Sequence, residues 1–166
     1  MNDSYAECLV RRKVPLSASV ANIIMGAITA VCLLLALSTQ LIGMVLLLVF
    51  GAATYFLYRN SRVEYEYLYV DKILSVDKIL GRAKRKSAWE GKMDDIQVIA
   101  PTGSHELDPY HQTGTKVLDF SSRIPGAKTY TAVVRTGSET VRVIFEPDEK
   151  MLQCFRQSAP RKIFLS

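Results

Sequence analysis

Residues 18–58 form a run of 41 positions that contains none of the chain's 21 Lys and Arg or 16 Asp and Glu residues. A polar turn around Thr39 divides the run into apolar stretches of 21 and 19 residues, 18–38 and 40–58. As helices they would be about 31 and 28 Å long, enough to cross a hydrocarbon core of ~30 Å. Lipid offers the backbone no hydrogen-bond partners, so a spanning segment must be helical. The run therefore predicts a transmembrane helical hairpin.

The charges that flank this run predict its orientation. Basic residues at 11–13 precede the first stretch, Arg59 and Arg62 follow the second, and the turn between the stretches is uncharged. Because Lys and Arg are enriched on cytoplasmic flanks, we expect a multi-pass protein of the cell membrane with both termini cytoplasmic. Tyr55 and Tyr58 fit an interfacial aromatic anchor on that side. A cleavable signal peptide is the competing interpretation, but its apolar core usually spans only about 7–15 residues.

The three cysteines, Cys8, Cys32 and Cys154, are an odd number and lie far apart in the chain. This spacing is typical of a reducing compartment and predicts no disulfide framework. No two of them are close enough to present a pair of thiolates to one metal ion. We therefore expect structural thiols, and no cofactor is predicted.

From residue 63 onward the hydrophobic pattern has a period of two, which is typical of β-strands. In the first strand Val63, Tyr65, Tyr67 and Tyr69 alternate with Glu64, Glu66, Leu68 and Val70. Six further segments follow between turn residues: 73–80, 82–89, 96–100, 116–120, 128–135 and 140–145. Seven short strands without room for crossover helices predict an antiparallel sandwich or barrel.

The last element is predicted to be a helix at 147–159. Pro147 suits its first position, two acidic residues follow it, and Pro160 marks its end. Met151, Leu152 and Phe155 fall on one face and should cover the strands. The whole chain is then an α+β membrane protein with a cytoplasmic tail at 1–17, a hairpin at 18–58, a tether at 59–62 and a β domain at 63–166.

Several short motifs resemble those of a family of small Gram-positive bacterial membrane proteins with two transmembrane helices. They are Glu64-Tyr65-Glu66-Tyr67, Asp77-Lys78-Ile79, Arg85-Lys86, Ala100-Pro101, Asp119-Phe120-Ser121-Ser122, Glu146-Pro147 and Pro160-Arg161-Lys162-Ile163. The order of seven strands and a helix also resembles the pleckstrin-homology-like fold. The resemblance implies this architecture, but no activity, because that family has none assigned and a fold alone licenses no ligand.

The densest basic cluster is predicted to be a contact site. Arg82, Lys84, Arg85 and Lys86 lie in one segment, with the first, second and fourth on one strand face. Held near an anionic leaflet, each cation would contribute about 1 kcal/mol of attraction. A solvated outer face and a protein partner are the alternatives. Nucleic acid is not expected, because residues 59–166 hold 18 Lys and Arg against 14 Asp and Glu, a net +4.

Gly26 and Ala30 form a small-xxx-small pair in the first apolar stretch. Such pairs let helices approach closely, so this one could serve packing within the hairpin or association with a second protomer. Both interpretations stay open at this point.

No catalytic constellation is visible. The longest loop, 101–115, collects His105, Glu106, Asp108 and His111, but their spacing matches no metal-binding signature. Cys154 is expected to be a core thiol, and Trp89 a packing residue. There is neither an activated nucleophile nor a glycine-rich phosphate loop.

These observations favour a non-enzymatic, membrane-anchored binding or scaffolding module. The alternative is an accessory subunit of a larger membrane transport or export complex that docks through the hairpin. An enzyme is the third and least supported class, since acid–base and metal chemistry need clustered polar groups.

Overall fold

The computed structural model describes residues 5–81, 84–110, 115–137 and 139–165, except the side chain of Gln40. The chain divides into two compact units. One consists of Lys13–Val63 and Leu80–Lys84, and the other of Met1–Arg12, Glu64–Ile79 and Arg85–Ser166.

The first unit is a hairpin of two helices, α1 at Leu16–Ser38 and α2 at Gln40–Ser61. The two helices predicted from the uncharged run are confirmed and extend slightly beyond its ends. Both are long and apolar enough to cross a membrane. Only 6% of the most apolar window of each helix is buried, so their side chains are not packed inside a protein core.

The first strand of the other unit lies in the predicted N-terminal tail. β1 at Ala6–Arg11 pairs antiparallel with β2 at Val63–Val70, in a register that runs from Ala6 opposite Tyr69 to Arg11 opposite Glu64. The tail prediction was wrong for these residues, because the partner of β1 follows the whole helical hairpin and no local turn signals the pairing. The hairpin is thus inserted between two strands that pair with each other.

Sheet A has the strand order β1-β2-β3-β4. β3 covers Ile73–Leu80 and β4 covers Lys84–Lys92. Asp71 and Lys72 join β2 to β3 with φ angles of 49° and 65°. Positive φ at both central residues matches the twist of a tight hairpin, although neither residue is glycine.

Sheet B has the order β5-β7-β8-β6. Its strands are β5 at Ile96–Pro101, β6 at Lys116–Asp119, β7 at Tyr130–Thr136 and β8 at Glu139–Phe145. β6 runs parallel to β8, which corrects the all-antiparallel prediction. The loop after β6 carries the chain past β8 instead of reversing it in a tight turn. The described residues therefore form eight strands in two sheets, and not a closed seven-strand barrel.

Helix α3 at Glu149–Ser158 contacts both sheets through Phe155. The rings of Tyr69 and Phe155 lie 4.9 Å apart, and Phe145 lies 5.8 Å from Tyr67 and 6.1 Å from Phe155. All four side chains are fully buried. The core is therefore an aromatic cluster from β2, β8 and α3.

The start of α3 differs from the prediction. Asp148 is the N-cap, and its carboxylate accepts a hydrogen bond from the backbone N–H of Met151 at 2.8 Å. Pro147 thus precedes the cap, whereas the sequence placed it at the first helical position. Met151 and Phe155 are fully buried, as the helical pattern predicted.

Candidate functional site

The predicted basic cluster opens β4, but its members separate onto two faces. Lys84, Arg85 and Lys86 are exposed, and Arg82 lies outside the described residues. Alternation along a strand puts Lys84 and Lys86 on one face and Arg85 on the other. Arg85 pairs with Glu66, with 2.9 Å between Nη2 and Oε2. The cluster therefore offers two lysines on one face and a paired arginine on the other.

The ion pair with Glu66 holds Arg85 on the face of β4 opposite to the two lysines. Glu66 is only 9% exposed, and burial raises the pKa of its carboxyl group, while Arg85 acts against that rise. The nearby Glu7 carboxyl raises the pKa further. A carboxylate in this setting needs a cation, so Arg85 is held by the fold. Lys84 and Lys86 have no ion pair among the described residues.

Gly81, which follows β3, contacts the end of α2. The backbone N–H of Gly81 donates to the carbonyl of Arg62 at 3.1 Å. Gly81 has φ +55°, and a Cβ atom there would overlap Cγ of Arg59. Glycine is therefore required both by the backbone angle and by the close approach. Leu80–Lys84 accordingly belongs to the same compact unit as the hairpin.

Aromatic and basic side chains alternate around this end of α2. The guanidinium carbon of Arg62 lies 4.5 Å from the ring centroid of Tyr58, and Arg62 also donates to the Tyr58 hydroxyl. Arg59 Nη1 lies 3.5 Å from the Tyr55 hydroxyl. The two tyrosines are 58% and 50% exposed. We call Tyr55, Tyr58, Arg59, Arg62 and Lys84 the basic–aromatic belt.

A polar junction between the sheets was missed by the sequence. Asp119 accepts hydrogen bonds from the Ser121 hydroxyl at 2.6 Å and from Arg123 Nε at 2.7 Å. Arg12 Nη2 lies 3.4 Å from the same carboxylate, and its Nη1 donates to Tyr65 at 2.6 Å. Burial raises the pKa of Asp119, but these donors outweigh it, so the pKa lies below its ordinary value.

The second half of the junction ties the loop after β6 to β8. The backbone N–H and the hydroxyl of Ser122 both donate to Glu146 Oε1 at 2.7 Å. Tyr67 donates to the carbonyl of Phe120 at 2.7 Å, and burial raises its pKa. The only signal in the sequence was an Asp followed two residues later by Ser, a pattern typical of local turns. The junction is structural and holds the strands in place.

The predicted polar loop contains a short 3₁₀ helix at His105–Tyr110, whose Leu107 is fully buried. His105 Nδ1 lies 3.2 Å from Asp108 on the surface, and His111 lies outside the described residues. No group of three or more His, Cys, Asp or Glu side chains in the described part of the chain could hold a metal ion.

The C-terminal segment borders a cavity of about 370 Å³. Lys162 closes one side of it by donating from Nζ to the carbonyls of Met93 and Asp94, at 3.1 and 3.0 Å. These bonds fasten the segment to the turn after β4. The cavity is thus a by-product of how the chain end is anchored.

Gly26 and Ala30 do not pack inside the hairpin. A Cβ atom at Gly26 would meet no heavy atom within 4 Å, and Ala30 is exposed. The close approach is at Gly43, where a Cβ atom would overlap the backbone of Ala36. This geometry favours association with a second chain over packing within the hairpin, and both interpretations of the pair stay predictions.

Hydrogen bonds between polar side chains also hold the two helices together. The hydroxyls of Thr29 and Thr54 lie 2.8 Å apart, and the Asn22 amide nitrogen donates to Ser61 at 3.0 Å. Hydroxyl and amide groups commonly join helices in this way in membranes.

Comparison with known proteins identifies the family. The model of the family described as bacterial PH-like domain (DUF6106) matches residues 2–165. The match spans nearly the whole chain, so this chain belongs to that family, as the sequence motifs implied. No curated protein and no solved structure matches it.

Proposed function

We propose that this bacterial PH-like protein is a non-enzymatic binding module anchored in the cell membrane by its hairpin, with both termini in the cytoplasm. The helices α1 and α2 supply the anchor, because both are apolar, long enough to span lipid and almost entirely unburied. The eight-stranded unit then presents its surface at the inner leaflet.

The pairing of β1 with β2 supports the placement of both ends of the hairpin on one side of the membrane. Arg11 and Glu64 are register partners on either side of the hairpin, and Arg11 Nε lies 3.1 Å from the Glu64 carboxylate. Four residues separate β1 from α1, and one separates α2 from β2. Such short connections require both ends of the hairpin to leave the membrane on the same side.

The observation that carries the proposal is the contact between Gly81 and the end of α2. It ties the basic start of β4 to the place where α2 leaves lipid. Exposed tyrosines favour that interface, and each Lys or Arg near an anionic leaflet contributes about 1 kcal/mol. In this proposal the basic–aromatic belt and Lys86 contact anionic headgroups and orient the domain on the leaflet.

Trp89, the one tryptophan in the chain, reports on this contact from within β4. The full-length protein is reconstituted into two sets of nanodiscs with equal bromine content. In one set the bromine is on the headgroups of anionic lipids, and in the other it is on the headgroups of zwitterionic lipids. We expect stronger quenching of Trp89 fluorescence by the anionic set at low salt, and loss of that difference at high salt.

The variant Lys84→Glu/Lys86→Glu should abolish the difference in quenching. Lys116→Glu/Lys128→Glu is the matched control, because it makes the same change in charge at exposed sites outside β4. Equal quenching by both lipid sets in the unmodified protein would refute headgroup contact. Recovery of the protein in the aqueous fraction after carbonate extraction, or a C-terminus accessible from outside whole cells, would refute the anchor or its orientation.

The outward position of Gly26 and Ala30 favours a second candidate function, that of an accessory subunit. With no neighbour around Gly26 and with Ala30 exposed, this face of α1 is free in the described chain to accept another helix. Gly26→Ile/Ala30→Ile should then release a partner that co-purifies from native membranes. Val31→Ala, at another exposed position of α1, is the control. Unchanged co-purification would exclude docking through this face.

A further inference from the structure

β4 is a long, uncovered edge strand. It is the last strand of sheet A, spans nine residues, and is exposed on both faces from Lys84 to Ala88. Within the described chain, only β3 pairs with it. An edge strand presents a row of unpaired N–H and C=O groups, which is a template for another strand.

The other sheet edges are protected. The edge of β5 is bonded to the C-terminal segment, since Ile99 N–H donates to Lys162 and Phe164 N–H donates to Ile99, both at 2.8 Å. β1 lies beside α3, where Cys154 Sγ approaches the carbonyl of Tyr5 at 4.0 Å. β6 has only four residues. Coverage and shortness block pairing at those edges. β4 has neither, and its exposed lysines disfavour any partner strand that does not carry acidic side chains.

The side chains of β4 select what could pair with it. Lys84 and Lys86 lie on one face without an ion pair among the described residues, and the small Ser87 and Ala88 follow them. Next comes Trp89, whose indole ring occupies the space over Gly91. The edge thus runs from a basic half, through two small residues, to a half-buried aromatic ring.

We propose that β4 captures an extended, acidic segment of a cytoplasmic protein by strand addition. Main-chain hydrogen bonds would supply the pairing, and cross-strand carboxylates opposite Lys84 and Lys86 would select the acidic partner. A second copy of β4 is a poorer match, because Glu90 is the one acidic residue of the strand and can stand opposite only one of the two lysines. An apolar residue of the partner would pack on Trp89. The inference rests on the proposed function and names the partner class of the same module.

The test uses the full-length protein in zwitterionic nanodiscs, so that lipid charge plays no part. The probe is a labelled peptide of alternating Glu and Thr residues with one Leu near its end. We expect binding by fluorescence anisotropy, together with slower hydrogen exchange at the amides of β4. The control is the same peptide with alternate backbone nitrogens methylated, which keeps its charge but loses the N–H donors along one edge. This control peptide should not bind.

The variant Lys84→Glu/Lys86→Glu should weaken binding about tenfold or more, from the loss of two favourable cross-strand pairs and the gain of two unfavourable ones. The control Lys116→Glu/Lys128→Glu should bind as the unmodified protein does. Equal binding of the methylated peptide, unchanged exchange at β4, or equal affinity of the Lys84/Lys86 variant would each overturn strand capture.

The two proposals fail separately. If anionic vesicles slow amide hydrogen exchange at β4 and the peptide does not, then this strand contacts lipid. That result would overturn strand capture and leave headgroup contact standing. Peptide binding without selective quenching of Trp89 by anionic brominated lipid would leave strand capture standing and remove headgroup contact.

Discussion

Sheets A and B have the same number of strands but differ in how far their strands are buried. In sheet B, β7 is buried continuously from Tyr130 to Val134, and the edge of β5 is covered by the C-terminal segment. In sheet A, β4 exposes both faces over its first half. The comparison teaches that sheet B contributes mainly stability, whereas the open end of sheet A contributes surface.

The largest effect should come from the core that β8 of sheet B shares with β2 of sheet A. Phe145 is fully buried against Tyr67 and Phe155, so Phe145→Ala should cost about 3–5 kcal/mol of unfolding free energy. Urea unfolding in mild detergent, followed by Trp89 fluorescence, measures it. Val117→Ala, in the same sheet but 49% exposed, should stay within about 0.5 kcal/mol. Similar losses for both variants would contradict the proposed division between core and surface.

A smaller effect is expected at the helix that joins the two sheets. Asp148→Ala removes the N-cap of α3 and should cost about 1 kcal/mol in the same unfolding assay. Asp148→Asn should restore most of the loss, because the amide oxygen can still accept the bond from Met151. A full loss in the Asn variant would mean that charge, and not capping, is the source of the effect.

The polar junction should make part of the stability depend on pH. Since the pKa of Asp119 is lowered in the fold, its contribution is complete above the ordinary pKa of 3.8 and is lost as pH falls through the lower folded-state pKa. The difference in unfolding free energy between the unmodified protein and Asp119→Asn should shrink over that acid range. Arg123→Gln, which removes one donor, should show the same trend more weakly. A difference that does not change with pH would contradict this assignment.

The smallest effect is expected on the outer face of sheet A. Glu66 is only 9% exposed, but Arg85 is 61% exposed, and the raised pKa of Glu66 lets its carboxyl group take up a proton once the cation is gone. Arg85→Gln should therefore change the unfolding free energy by less than about 1 kcal/mol. A loss comparable to that of Phe145→Ala would show that β4 shares in the core after all.

The parts of the fold that follow a local pattern could be predicted from the sequence. The uncharged run gave both helices of the hairpin, and the period of two gave the burial of Tyr65, Tyr67 and Tyr69. In α3, Met151 and Phe155 lie one turn apart and are both buried. Each of these features depends on residues only a few positions apart, which is the range that a periodicity senses.

Pairings between distant residues could not be predicted. β1 has its partner beyond the hairpin, and β6 pairs in parallel with a strand that is not its neighbour in the chain. Charge counting assigned Arg12 to membrane orientation, whereas the structure places it against Asp119 and Tyr65. The same limit applies to the candidate site. Composition located the basic cluster, but it did not show that Arg85 pairs with Glu66 while Lys84 and Lys86 lie on the other face of β4.

Biosynthesis delivers β1 long before β2, because the 51 residues from 12 to 62 separate the two strands. The nascent chain must therefore keep its first strand unpaired until both helices have been made. An unpaired edge is prone to aggregation and is the kind of surface that chaperones and proteases recognise. Sheet A can therefore be completed only after the whole hairpin has been synthesised.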